Sequence, residues 1–122
     1  MKIHLIKRQS ILRYIEKNPQ GKVSFEKWLS IITRADWSEP NDIISTFKTA
    51  DILGRGSKRV VFNIGGNNYR MICRYHFGEK KVHLFIKWIG THAEYTKLCN
   101  KGCRFLLKYN YDEINKIYHN KN

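Results

Sequence analysis

Acidic residues are scarce in this chain: ten Asp and Glu stand against 23 Lys and Arg, leaving a formal net charge of +13 over 122 residues. A surplus of that size works against a cationic partner and favours a polyanion such as nucleic acid, a ribosome or an acidic protein. Cysteine is sparse as well. Cys73, Cys99 and Cys103 make an odd set without a framework spacing, which excludes a disulfide scaffold and suits a reducing compartment, so the cytoplasm is expected. Long apolar runs are missing: Met1 to Ile6 is followed at once by Lys7 and Arg8, so neither a signal peptide nor a membrane span is expected. Cys99 and Cys103 lack the second Cys or His pair that would complete a zinc set, and no metal site is expected from them. Gly54-Arg55-Gly56 and Gly65-Gly66 lack the Gly, Lys and helix-start spacing of a phosphate-binding loop, so no nucleotide or other cofactor is expected.

What is present suffices for one folded domain. Hydrophobic residues make up 42% of the chain, with three Trp, seven Tyr and six Phe to build a core, which rules out the composition of a disordered protein. The positive charge is distributed: residues 1–59 carry +6, residues 60–100 carry +4 and residues 101–122 carry +3. A basic surface spread over the fold implies a broad electrostatic footprint, where a basic tail would imply a tether.

Hydrophobic spacing divides the chain into a helical half and a β half. Ile3 to Ile6 reads as an opening strand, and Ile11, Leu12, Tyr14 and Ile15 then share a helical face that ends at Asn18-Pro19-Gln20-Gly21. Val23, Phe25, Trp28, Leu29 and Ile32 mark a second helix ending near Asp36, with Ser24 as its cap, so the two helices read as an antiparallel hairpin. A short helical piece follows the Glu39-Pro40-Asn41-Asp42 turn, and Gly54 to Arg59 reads as a flexible basic loop. From Val60 the composition is β-branched and aromatic. Strands over Val60–Ile64, Tyr69–Phe77 and Val82–Ile89, joined at Gly65-Gly66-Asn67-Asn68 and Gly78-Glu79-Lys80-Lys81, read as an antiparallel meander. Thr91 then caps a helix, with Glu94 at the third position of a capping box. Beyond Gly102, Arg104 to Tyr109 suits a strand and Tyr111 to Tyr118 a short helix.

Alternation in the second meander strand puts Tyr69, Met71, Cys73, Tyr75 and Phe77 on one face and Arg70, Ile72, Arg74 and His76 on the other. The third strand alternates Val82, Leu84, Ile86 and Trp88 against His83, Phe85, Lys87 and Ile89. Arg70, Arg74 and Lys87 then converge on the face away from the helices, where they are either phosphate contacts or ordinary solvated positions. Metal-free cleavage of RNA needs activation of a 2′-hydroxyl, stabilisation of charge on the phosphorane and a proton for the leaving 5′-oxygen. His92 offers an imidazole for proton exchange, Arg70 with Lys87 or Lys58 supplies positive charge, and Tyr95 shares a helical face with His92. Lys58, Arg59 and Arg74 are candidate contacts to an RNA backbone. By itself, a Thr-His-x-Glu-Tyr helix start is equally what plain capping with a packed tyrosine requires.

The run Val61-Phe62-Asn63-Ile64-Gly65-Gly66-Asn67-Asn68-Tyr69-Arg70, taken with Thr91-His92-Ala93-Glu94-Tyr95, resembles the HigB group of type II toxins, a branch of the RelE/ParE superfamily. The resemblance covers about residues 1–98. It implies an α+β, RelE-like fold, with the helical hairpin packed on a twisted, mainly antiparallel sheet; residues 1–100 form the toxin domain and 101–122 extend it. It implies a cytoplasmic, metal-independent endoribonuclease that cuts mRNA on the translating ribosome and is silenced by a HigA-type antitoxin with a helix-turn-helix domain. Operator DNA would be bound only through that complex, and no membrane is involved. Arg70 matches the family's strand arginine, and His92, Glu94 and Tyr95 match its terminal motif; the sequence beyond residue 100 departs from it. Two other classes share the basic surface: a non-catalytic inhibitor of an acidic target such as DNA gyrase, and a plain RNA-binding module.

Overall fold

The computed structural model describes residues 1–54 and 56–100, so the strand and helix expected between Arg104 and Tyr118 lie outside the described residues. The order of elements is strand β1 (Lys2–Ile6), helix α1 (Arg8–Lys17), a 3-10 turn (Pro19–Gly21), helix α2 (Lys22–Arg34), helix α3 (Asn41–Thr46), strands β2 (Asp51–Leu53), β3 (Arg59–Ile64), β4 (Tyr69–Phe77) and β5 (Lys81–Thr91), and helix α4 (His92–Leu98). The fold is α+β around one five-stranded mixed sheet of order β1-β5-β4-β3-β2. β1 runs parallel to β5 and every other pairing is antiparallel. The meander is β3-β4-β5, as the sequence predicts; β2 extends one edge as a local hairpin with β3, and β1 joins the other edge from the far end of the chain.

α1 buries Ile11 completely, while Leu12 stays 38% exposed outside the expected apolar face. Its end is determined locally. The Asn18 N–H donates to the carbonyls of Tyr14 and Ile15, and Pro19, which has no N–H, opens the 3-10 turn. α2 begins at Lys22, one turn earlier than a Ser24 cap requires, so Ser24 is interior to the helix and abuts Gly65. Phe25, Trp28, Leu29 and Ile32 recur at helical spacing and are buried, whereas Val23, expected on that stripe, is 78% exposed. Trp28, Phe47 and Phe62 join helix, connector and sheet, with ring centroids 5.1–5.7 Å apart. The Trp37 ring is fully buried and its Nε1–H donates to the Thr46 hydroxyl over 2.9 Å, which anchors α3.

The alternation in β4 is as expected: Tyr69, Met71, Cys73 and Tyr75 enter the core beneath the helices. The other face differs from an open basic surface. Half of it is a second apolar cluster, in which Leu98 of α4 packs with Leu53, Val61 and Ile72, flanked by Trp88 and Tyr95. β5 also departs from simple alternation. Ile72 pairs with Trp88 and Cys73 with Ile86, so Lys87 is the extra residue of a β-bulge. The bulge reverses the phase of the strand: Ile86 and Ile89 pack against the helix-side core, and Trp88 turns to the opposite face. The first residue of β3 falls in what reads as the end of the Gly54–Arg59 loop, so Arg59 is a buried strand residue, and β2 is a strand not expected from the sequence.

Candidate active site

The β3–β4 hairpin is closed by Gly65 and Gly66, both at φ +65°, a backbone conformation that glycine adopts without steric cost. The two asparagines that follow hold the flanking elements. Asn67 Oδ1 accepts from Arg70 Nη2 over 3.2 Å, and the Tyr69 carbonyl accepts from Arg70 Nη1 over 3.0 Å. The Asn68 carbonyl accepts the His92 N–H over 2.9 Å. One turn therefore fixes the guanidinium of Arg70 and the first residue of α4 together. Register reinforces this, since Arg70 pairs with Gly90 and Tyr69 with Thr91.

α4 begins abruptly because its capping box is complete. The Thr91 hydroxyl accepts the Glu94 N–H over 3.1 Å, and the Glu94 carboxylate accepts the Thr91 N–H over 2.8 Å. Glu94 is thus occupied with the helix start, while the His92 side chain is exposed. Three residues on, Tyr95 is half-buried, its ring 6.1 Å from that of Trp88. Arg70 is only 8% exposed, so its charge is held in a partly desolvated position where an anion is bound more strongly than in water.

The other expected cations are arranged along the sheet instead of at this turn. Lys87, in the bulge, is half-buried with its Nζ 6.0 Å from the centre of the Phe85 ring. Arg74 is exposed and opposite both Arg59 and Phe85 in register, four residues of strand beyond Arg70, or about 13 Å. Lys58 is exposed beside them at φ 57°, its carbonyl accepting the Tyr75 N–H over 2.8 Å. Arg70, His92 and Tyr95 therefore form one group, and Arg74, Arg59 and Lys58 a second, with Lys87 between the two.

Sequence reasoning missed Gly90. A β-carbon there would collide with the indole of Trp88, so glycine lets that ring lie flat beside Arg70's partner position. Only the bulge at Lys87, which turns Trp88 to this face, makes the requirement visible. Tyr14 of α1 is a further neighbour: burial first, then the charge of Glu94 and the presence of Tyr69, push its phenol up to about 12. Burial also pushes the Cys73 thiol well above its ordinary range, which leaves it a packing residue. Among the described residues no helix is long and apolar enough to cross a membrane.

The site is thus a glycine-turned hairpin that joins a buried strand arginine to an exposed histidine at a capped helix start. The family model described as HigB toxin, RelE-like toxic component of a toxin-antitoxin system, matches residues 21–98, which places the chain among the RelE-like toxins. The chain is 30% identical over 96 residues, covering 79% of it and 91% of the relative, to a protein of Escherichia coli O6:H1 named mRNA interferase HigB. It is 29% identical over 93 residues, 76% of this chain and 88% of each relative, to the mRNA interferase toxin HigB of Escherichia coli strain K12 and to the mRNA interferase HigB of Shigella flexneri. The chain belongs to the HigB toxin family.

Proposed function

We propose that this HigB-family toxin is an mRNA interferase that cleaves messages on the translating ribosome, with no metal in the chemistry. The observation that carries the reading is the hairpin that supports both Arg70, through Asn67, and His92, through Asn68. The relatives' names supply the substrate class. RNA lies along the part of this sheet face that α4 and its apolar cluster leave uncovered, with the scissile phosphate at Arg70. The 2′-oxygen attacks phosphorus and gives up its proton, the P–O5′ bond breaks, and the leaving oxygen is protonated. Arg70 stabilises the charge of the phosphorane with Lys87 in support, His92 carries a proton, and Tyr95 orients the ribose or base from beside Trp88. Lys58 and Arg74, both exposed, follow the backbone further along the strands, while Arg59, buried in register with Arg74, is not placed to reach it directly.

The same reading supplies the rest of the system. The RelE-like fold takes α1 and α2 as a helical hairpin over the sheet, residues 1–100 as the toxin unit and 101–122 as its extension. The protein acts in the cytoplasm, is neutralised by a HigA-type antitoxin with a helix-turn-helix domain, and reaches operator DNA only in that complex. Primer extension on messages from cells expressing the chain is the test. Discrete cuts in phase with the codons are expected, and His92→Ala should reduce them by about two orders of magnitude while the fold is retained. Growth arrest with intact messages would sink the nuclease reading, and a change in plasmid supercoiling would redirect it to a topoisomerase.

A further inference from the structure

Three histidines, one of them remote in sequence from the other two, stand side by side on adjacent strands, far from the candidate active site. β1 pairs His4 with His83, and β4 pairs His76 with His83. Their strand neighbours Ile3, Leu5, Tyr75, Val82 and Leu84 pack in the helix-side core, so all three imidazoles leave the sheet on its other face. His76 and Arg70 lie at opposite ends of β4, six residues or about 20 Å apart. The rings of His4 and His83 are 5.5 Å apart at 69°, with their Nδ1 atoms separated by 3.3 Å. His76 stacks on His83 at 6.1 Å and 21°.

A hydrogen bond from the Nδ1–H of one ring to the Nδ1 of the other accounts for that distance, the tautomers deciding which ring donates. The same distance has a second meaning. Two nitrogens bound to one tetrahedral zinc, each at about 2.0–2.1 Å, are about 3.3–3.4 Å apart. We propose that His4 and His83 form a two-nitrogen seat for a divalent cation that prefers imidazole, of the zinc, nickel or copper class. Among the described residues no three His, Cys, Asp or Glu side chains are placed to close on a metal, so water completes the coordination. The chain's charge of +13 opposes cations held by field alone, and a hard cation such as magnesium has no oxygen donor in this pair. A bound ion replaces that hydrogen bond, the donor ring then carrying its proton on Nε2, and ties β1, whose sheet neighbour among the described residues is β5, to the rest of the sheet. Binding restricted to the folded state raises the melting temperature with occupancy. The family match begins at residue 21, so His4 lies outside it.

The experiment is a titration of Zn2+ into the purified full chain carrying Cys99→Ser and Cys103→Ser, followed by calorimetry and by imidazole NMR. One equivalent is expected to bind, shift the ring signals of His4 and His83, and raise the melting temperature, with excess Mg2+ producing none of these. His4→Gln and His83→Phe should each weaken binding by about tenfold or more, since one of two nitrogen donors is gone. The phenyl ring at position 83 retains the packing on His76 and Phe85. Were either variant unfolded, the NMR of the parent chain still decides. Unshifted His4 and His83 signals at saturating Zn2+, binding that survives both substitutions, or equal binding of Mg2+ would each overturn the proposal.

Discussion

Along β4 the side chains separate into two populations with different tasks. Tyr69, Met71, Cys73 and Tyr75 are packed beneath α1 and α2, in a core whose contacts are almost wholly apolar. Arg70, Ile72, Arg74 and His76 leave on the opposite face, where α4 covers Ile72 while Arg74 and His76 face solvent. The first face gains stability from burial, which is non-directional and tolerant of small changes in shape. The second holds an arginine at 8% exposure, with further cations spaced along the strands, an arrangement that costs stability instead of adding to it. The lesson is that stability and chemistry are divided between faces of the same strand, so substitutions on the two faces should fail in different ways.

The largest effect should come from the helix-side face. Phe62 is 1% exposed and lies between Trp28 and Phe47, with centroids at 5.2 and 5.1 Å. Phe62→Ala should cost about 3–5 kcal/mol in a urea unfolding curve. RNA cleavage per folded molecule should be unchanged, and a loss there would break the division between faces. Arg70→Ala should behave in the opposite manner. It removes two hydrogen bonds to hairpin acceptors, a cost of about 1–3 kcal/mol in stability, but should lower the cleavage rate by about two to three orders of magnitude. Arg70→Lys should recover little of that rate, because an ammonium cannot reproduce the two-pronged guanidinium. Retention of most cleavage by Arg70→Ala would remove this residue from the site.

Gly90→Ala tests whether the two faces are coupled at the bulge. The added methyl collides with Trp88, and the displaced indole presses on Tyr95, so stability should fall by about 1–3 kcal/mol with a parallel fall in cleavage. Differential melting and a cleavage time course on the same preparation would check it. A drop in stability with normal cleavage would mean that the position of Tyr95 is unimportant to the reaction.

Much of this arrangement was legible in the residues, and what was not has physical causes. The alternation in β4, the Gly65-Gly66 turn and the Thr91/Glu94 capping box are local, so composition at short range predicts them. The bulge at Lys87 leaves no such mark: β5 reads as regular from Val82 to Ile89, and only pairing with β4 shows that Ile72 meets Trp88 while Cys73 meets Ile86. The same holds for β1. Its parallel pairing with β5 brings His4 to His83 across 79 residues of sequence, beyond any periodicity argument. Arg59 reads as a loop cation because it follows Gly54 to Lys58, yet it opens β3 and is 5% exposed. The helix-side core and the site's backbone supports could therefore be anticipated, whereas the placement of Lys87, Trp88, Gly90 and Arg59 depends on the assembled sheet.

The smallest effect expected lies where the helices meet the site. Tyr14 on α1 packs edge-on against Tyr69, with centroids 6.0 Å apart, and its phenol is raised from 10.0 to about 12, first by burial and then by the charge of Glu94. The folded state thus retains a proton that the unfolded chain releases. Stability depends on the difference in bound protons, so this contribution is intact below pH 10.0 and is lost as pH rises from there towards about 12. Lysines titrate in the same window, so the signal is the difference between the parent chain and Tyr14→Phe. The phenyl variant should lose less stability over that range, and the parent's phenolate ultraviolet band should show a late step that Tyr14→Phe removes, leaving that of Tyr75, whose phenol burial also raises. Glu94→Gln should move that late step downward by removing the neighbouring charge, and it would also weaken the capping box, because the amide is a poorer acceptor for the Thr91 N–H. If the late step stayed in place in Glu94→Gln, the electrostatic contact between α1 and the start of α4 would be absent, and the helix-covered face would be independent of the site even at this edge.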